Sequence, residues 1–346
     1  MANLAISAVC NQNCAYCFTR DHLARQGAGR RFLALADLEA RLDFLARSGI
    51  DQVRLMGGEP TLHPRFSELV KRARAAGFKV VVFSNGLMPE SALSYLASLP
   101  VDECTVLVNV NDPADIGARD RADVHGRRCA AIRRLGERAV LGLNIYRPDL
   151  RPDFMLAIVA ETGCQPAIRL GMAQPCLSGD NRYIHPSQYV AVGAQIARFA
   201  RAAAGARVRI EFDCGFVRCM FSPEDLETLQ VAGADVGWRC NPILDVDTEG
   251  RVIHCYPLSG LGSLPLTPET DAPALREAFE ARTRPYRQSG VFRECATCPF
   301  KASGECPGGC LAATMRRFRH TPFRLTLPRR EGLNAEAQRR GGTQRG

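Results

Sequence analysis

The chain has 346 residues, of which 46% are hydrophobic and 23% charged, and its formal net charge is +9. That composition is globular, and the length suffices for one large domain and a small one; no apolar run approaches the roughly eighteen residues that span a bilayer, so no membrane segment is expected. The positive charge is confined to one end, because residues 315–346 hold nine Arg and two Glu, and a basic tail of this kind excludes a nucleic-acid groove in the body of the protein.

Taken in chain order, the first predicted element is a strand over residues 4–9. The residues before it lack a basic region, so no signal peptide is expected and the location is read as cytoplasmic. Leu38, Leu42 and Leu45 then mark a helix closed by Gly49. Strands follow at residues 52–56, 79–84, 104–110, 140–146 and 167–172. Helical periods separate them: Phe66, Leu69, Val70 and Ala73; Leu93, Leu96 and Ala97; Ile132 and Leu135; residues 154–159; and residues 189–199. Six strand–helix units imply a parallel sheet with helices outside. Six is too few to close an eight-stranded barrel, so the expected fold is α/β, a partial (β/α)6 barrel with its chemistry at the carboxyl ends of the strands.

After residue 213 the alternation stops, and residues 214–312 are rich in Cys, Pro and Gly. Three units are therefore expected: residues 1–205 as the core, 206–314 as a small Cys-rich domain, and 315–346 as a basic, disordered tail. Fifteen cysteines in a chain without a secretory signal argue against disulfides. Metal ligation can stabilise the Cys-rich segment instead, because binding free energy becomes folding free energy.

Cys10, Cys14 and Cys17 form a C-x3-C-x2-C run in the loop after the first strand. Three thiolates hold three irons of a cubane and leave the fourth open, whereas a structural cluster takes four cysteines. At the end of the second strand stands Met56-Gly57-Gly58-Glu59-Pro60. Two glycines suit close approach of backbone to a ligand, and Glu59 can meet an ammonium. Ser84-Asn85-Gly86 ends the third strand, and Asn109 and Asn144 end the fourth and fifth. Downstream, Cys240 and Cys255 flank a segment that reads as a hairpin turned at Glu249-Gly250, followed by Cys295, Cys298, Cys306 and Cys310.

Residues 3–200 resemble the radical S-adenosylmethionine (SAM) superfamily. The resemblance implies a 4Fe–4S cluster on Cys10, Cys14 and Cys17 whose open iron chelates SAM, and a 5′-deoxyadenosyl radical that abstracts hydrogen. It implies SAM contacts from Tyr16, Gly57, Gly58, Glu59, Pro60, Ser84, Asn109 and Asn144, with Arg128 a candidate for the SAM carboxylate. Residues 214–312 resemble the SPASM/twitch extension, which carries auxiliary 4Fe–4S clusters. By that likeness Cys240, Cys255 and Cys310 share one cluster with an upstream cysteine, either Cys214 or Cys219. Cys295, Cys298 and Cys306 hold a second, completed by the unused one of that pair or left open; zinc on the Cys295 group is the alternative. The gap between Cys298 and Cys306 is seven residues where five is usual, and no cysteine follows Cys310.

Asp213, beside Cys214, and Tyr256, beside Cys255, are the candidate acid–base residues. Sulfatase-maturing relatives carry an Asp where this chain has Tyr256, which argues against that activity. The implied function is modification of a peptide or protein side chain. The expected partners are that substrate, a separate peptide-recognition protein, and an electron donor such as flavodoxin or ferredoxin. Dehydrogenation of a small alcohol or cyclitol is the alternative. An iron–sulfur electron-transfer protein would need a fourth cysteine on the first cluster.

Overall fold

The computed structural model describes residues 2–26, 30–117, 119–234 and 236–318. Seven strands run parallel in chain order: β1 (Ala2–Ser7), β2 (Gln52–Gly57), β3 (Lys79–Ser84), β4 (Cys104–Asn109), β5 (Ala139–Ile145), β6 (Ala167–Met172) and β7 (Arg209–Phe212). The first six were expected; β7 was not, because its four residues are too short to show a period. Helices connect the strands: α1 (Arg20–Ala24) and α2 (Leu35–Arg47), then α3 (Phe66–Ala75), α4 (Glu90–Ser98), α5 (Arg121–Leu135), α6 (Phe154–Thr162) and α7 (Tyr189–Gly205). The apolar period of α3 does what it predicts, burying Phe66, Leu69, Val70 and Ala73.

The strands alternate in the usual way. Val80 and Val82 of β3 are buried under the helices, whereas Lys79, Val81 and Phe83 face the other side and are more open. That other side is the concave interior of a partial barrel. Arg54 on β2 and Arg169 on β6 lie four strands apart, about 19 Å in a flat sheet. Yet both guanidinium groups lie over the ring of Phe83, at 5.7 and 5.8 Å from its centroid. Only a strongly curved sheet brings them together.

The Cys-rich segment is less separate than expected. Its hairpin, β8 (Asp245–Val246) and β9 (Arg251–Ile253), adds to the core sheet: β8 pairs parallel with β1, and β10 (Leu264–Pro265) extends the edge beyond β9. The turn passes through Gly250 at φ +78°, as its glycine predicts. The segment also holds α8 (Pro223–Val231), α9 (Ala272–Arg287), α10 (Pro299–Ala302) and α11 (Leu311–Phe318). The expected start of the tail is corrected: α11 runs across residue 315, and Met315 is buried because it lies on that helix's apolar face. The rest of the expected tail, residues 319–346, lies outside the described residues. Among the described residues no helix is long and apolar enough to cross a membrane.

Candidate functional site

The loop after β1 is tied down before it reaches its first cysteine. Gly58 N–H donates to Ser7 O at 2.8 Å and Glu59 N–H donates to Val9 O at 2.7 Å. A side chain at Gly57 (φ +142°) would put its Cβ 2.0 Å from Ser7 O, and one at Gly58 would put it 2.4 Å from Val9 O. The two glycines therefore serve first to let the β2 loop lie against the backbone leading into Cys10. Both also line the cavity described below.

Glu59, the expected partner of an ammonium, stands where the β2 and β3 loops meet. Its carboxylate is fully buried. Oε1 accepts from Thr61 N at 3.2 Å, Thr61 Oγ1 at 2.6 Å and Ser84 Oγ at 2.9 Å; Oε2 accepts from Asn85 N at 2.8 Å. Burial raises its pKa, and these donors pull it back. Glu59 thus bolts the β2 loop to the β3 loop and aims Asn85 at the cysteine loop, where Asn85 Nδ2 donates to Asn11 Oδ1 at 2.7 Å. Pro60 opens the short turn Pro60–Leu62 and is buried, away from the cavity. Replacing Glu59 by Gln leaves one acceptor oxygen and sets an NH2 against at least one of the four donors. We expect a loss of about 1.5–3 kcal/mol in the urea unfolding of the apoprotein, and an unchanged midpoint would contradict this role.

Above these loops opens a cavity of about 390 Å³. One wall is polar: Cys10, Cys14 and Cys17, then Ser84, Asn109 and Asn144 from the strand ends. The opposite wall is apolar and includes Phe18, Leu23, Met56 and Phe83. Cys10 is exposed, while Cys14 and Cys17 are half-buried. Desolvation lifts the Cys10 thiol to about 11, and repulsion from Cys14 and Cys17 adds to it. Burial raises Cys14 as well. Such thiols hold their protons at neutral pH unless a metal displaces them. Among the described residues no fourth cysteine lines this cavity, so the set fits a cluster with one open position.

Tyr16 also lines the cavity; its ring stacks on Tyr146 at 4.9 Å and its hydroxyl bonds Asn111. Asn111 itself escaped the sequence reading. Its amide donates to the Cys14 sulfur at 3.2 Å. Its position just past the end of β4 was the available signal. Arg128 stays out of the cavity: it is buried behind Gly86 and donates Nε–H to Asn85 O at 3.0 Å.

The remaining cysteines sort into two fours. Cys214, Cys240, Cys255 and Cys310 form the first. Cys310 shares a hydrogen bond with Cys240 and holds it at about 7, below the ordinary thiol, while Cys310 itself is raised. Repulsion from Cys240 and Cys214 adds to the burial that raises Cys255. Cys219, Cys295, Cys298 and Cys306 form the second: burial lifts Cys219 to about 11, and the other three push in the same direction. The choice left open by the sequence thus falls out as Cys214 with the first group and Cys219 with the second. A single zinc ion with 2.3 Å bonds draws its sulfurs to roughly 3.8 Å apart. Among the described residues the three ligand atoms that come within 4.8 Å of one another belong to His125, Cys129 and Glu161, not to either four.

Asp213 closes the inner end of the barrel. Its Oδ1 accepts from Cys214 N at 2.8 Å and pairs with Arg169 at 2.8 Å. Tyr256, the other acid–base candidate, is 1% exposed, its hydroxyl has no partner among the described residues, and its ring packs against Phe18 and His22. It is a core aromatic because the turn after Cys255 folds inward, held by Tyr256 N donating to Asp245 Oδ2 at 2.7 Å.

Residues 4–146 match the Radical SAM superfamily, and this stretch contains the three-cysteine loop and the strand ends around the cavity. Residues 4–146 are a radical SAM domain. A radical SAM domain holds a 4Fe–4S cluster and SAM, and the three cysteines and the cavity beside them fit that pair. The S-adenosylmethionine-dependent nucleotide dehydratase of Thermoplasmatales archaeon (strain ISO4-H5) is 30% identical over 33% of this chain and 39% of its own length. The chain thus matches about two fifths of that relative. The PqqA peptide cyclase of Streptomyces rochei is 25% identical over 87% of this chain and 81% of its own. In fold, Streptococcus suis SuiB bound to its precursor peptide SuiA superposes with a TM-score of 0.66 over 91% of this chain and 72% of that one, at 14% identity.

Proposed function

We propose that this radical SAM enzyme modifies a side chain of a peptide or protein. The observation that carries the reading is the sorting of the eight C-terminal cysteines into two groups of four, beyond the three that line the cavity. The likeness to PqqA peptide cyclase over most of both chains supports it, as does the shared fold with SuiB, which has been solved with a peptide.

When bound, the reduced cluster and SAM supply a 5′-deoxyadenosyl radical that removes a hydrogen atom from substrate. The chain's own residues do the rest. Cys10, Cys14 and Cys17 hold the cluster, and Asn111 fixes the Cys14 sulfur. Gly57, Gly58, Ser84, Asn109 and Asn144 present the polar wall that receives SAM. Phe18, Leu23, Met56 and Phe83 keep water from the reacting carbon. Asp213 uses Oδ1 for Arg169 and Cys214, leaving Oδ2 to take a proton from the substrate. Two auxiliary clusters on the four-cysteine groups would accept the substrate's electron. A flavodoxin or ferredoxin in the cytoplasm is the matching reductant, and a separate recognition protein would deliver the peptide.

The test is anaerobic incubation of the cluster-loaded protein with SAM, dithionite and the short peptides encoded beside its gene. A mass change on one peptide, matched by 5′-deoxyadenosine, is expected. Peptides left unchanged while a small polyol is oxidised would replace this reading with the dehydrogenase one.

A further inference from the structure

Below the cavity the barrel interior carries a charge arrangement that SAM binding does not use. Arg54 projects from β2 and Arg169 from β6, and their guanidinium groups lie over the ring of Phe83, which itself lines the cavity. The two cations are close enough that Arg169 depresses the pKa of Arg54, after burial has already done so. Arg169 has an acidic partner in Asp213, at 2.8 Å. Arg54 has none: among the described residues no carboxylate lies within 4.0 Å of its guanidinium, and its buried Nε–H has no acceptor. The nearest acids, Asp213 and Asp245, act on it only at longer range. Asp245 is engaged elsewhere, with Asn3 Nδ2 at 2.5 Å and Tyr256 N at 2.7 Å.

Two like charges converging in a partly buried, curved sheet repel each other, and an unsatisfied guanidinium there loses hydration without compensation. An anion seated between them removes both costs. The planar fork of each guanidinium suits a carboxylate held by two parallel hydrogen bonds. Phe83 both lines the cavity and lies 5.7 and 5.8 Å from the two guanidinium carbons, so the arginine pair adjoins the cavity. We propose that Arg54 and Arg169 bind a carboxylate of the peptide substrate and so set which residue is presented to the reacting centre. This rests on the peptide-modifying reading above. It adds that the substrate is acidic near its reacting carbon.

The test uses the cluster-loaded, SAM-bound protein and two pools of random hexapeptides. One pool is acetylated and amidated, so that only Asp and Glu side chains supply carboxylates; the other has free C-termini. Retained peptides are read by mass spectrometry. Wild type is expected to enrich acidic peptides from the blocked pool if a side chain is the ligand. Enrichment confined to the free pool assigns the C-terminal carboxylate instead. Either result supports the proposal if Arg54→Gln lowers the enrichment about tenfold or more and Arg54→Lys restores part of it. Iron content and melting temperature are compared to confirm that each variant is folded. Peptides retained with no acidic bias, or with a bias that survives Arg54→Gln and Arg169→Gln, overturn the carboxylate site and leave the peptide reading standing. Retention of no peptide, with a nucleoside triphosphate retained in parallel, overturns both.

Discussion

Cys14→Ala eliminates 5′-deoxyadenosine formation. Cys14 is the middle residue of the three-cysteine loop, half-buried, and fixed by the Asn111 amide at 3.2 Å from its sulfur. Among the described residues no other cysteine lines the cavity to replace it. Loss of a hydrogen-bonding partner to a metal ligand typically costs about 10–100-fold in affinity or activity, and loss of the ligand itself costs more. We therefore expect product from SAM and dithionite to fall at least about a hundredfold, measured by chromatography against wild type of equal iron content outside this site. The C-terminal cysteine groups are built from other elements, and the metal content measured for them is expected to be unchanged. Undiminished cleavage in Cys14→Ala would remove the assignment of this loop.

The parts of this site that were legible in the sequence are those where chemistry fixes residue type and spacing together. The three cysteines sit in one short loop, and the strand before them is apolar enough to announce itself. Strand β3 was legible to the residue because Asn85-Gly86 follows a Val-rich run. Glu59 shows the limit. Its residue type permits an ammonium contact, but nothing in the sequence says that Thr61, Ser84 and Asn85 converge on it from two loops. The glycines before it were read as making room for a ligand, and the room they make is first for the backbone of Ser7 and Val9. Helix α9 was missed although Leu275, Phe279 and Thr283 bury one stripe, because Arg and Glu fill the other positions and Pro285 interrupts its last turn. The arginine pair was illegible for a different reason: Arg54 and Arg169 are 115 positions apart, and only the curvature of the sheet brings them to one ring.

Removing the first cluster isolates the second question, how many clusters the C-terminal region holds. In the triple variant Cys10→Ala, Cys14→Ala, Cys17→Ala, we expect about eight irons and eight sulfides per chain, from two four-cysteine cubanes. The sequence left this open because Cys214 and Cys219 were interchangeable on paper. The structure separates them. Cys214 is near enough to Cys240 and Asp213 to feel their charge, whereas Cys219 feels that of Cys295, Cys298 and Cys306. The turn Arg218–Met220 sets Cys219 apart from Cys214, and Gly215 at φ +96° bends the chain between them. Each group then has its full complement of thiolates, and neither must share a ligand. Adding Cys219→Ala should therefore lower the count toward four without touching the Cys240 group, and Cys214→Ala should do the converse. The two variants are told apart by which of two electron paramagnetic resonance signals disappears. Loss of the same signal in both would mean one auxiliary cluster drawing on both cysteines. Stoichiometric zinc with no iron in the triple variant would mean that these groups are not iron–sulfur sites at all.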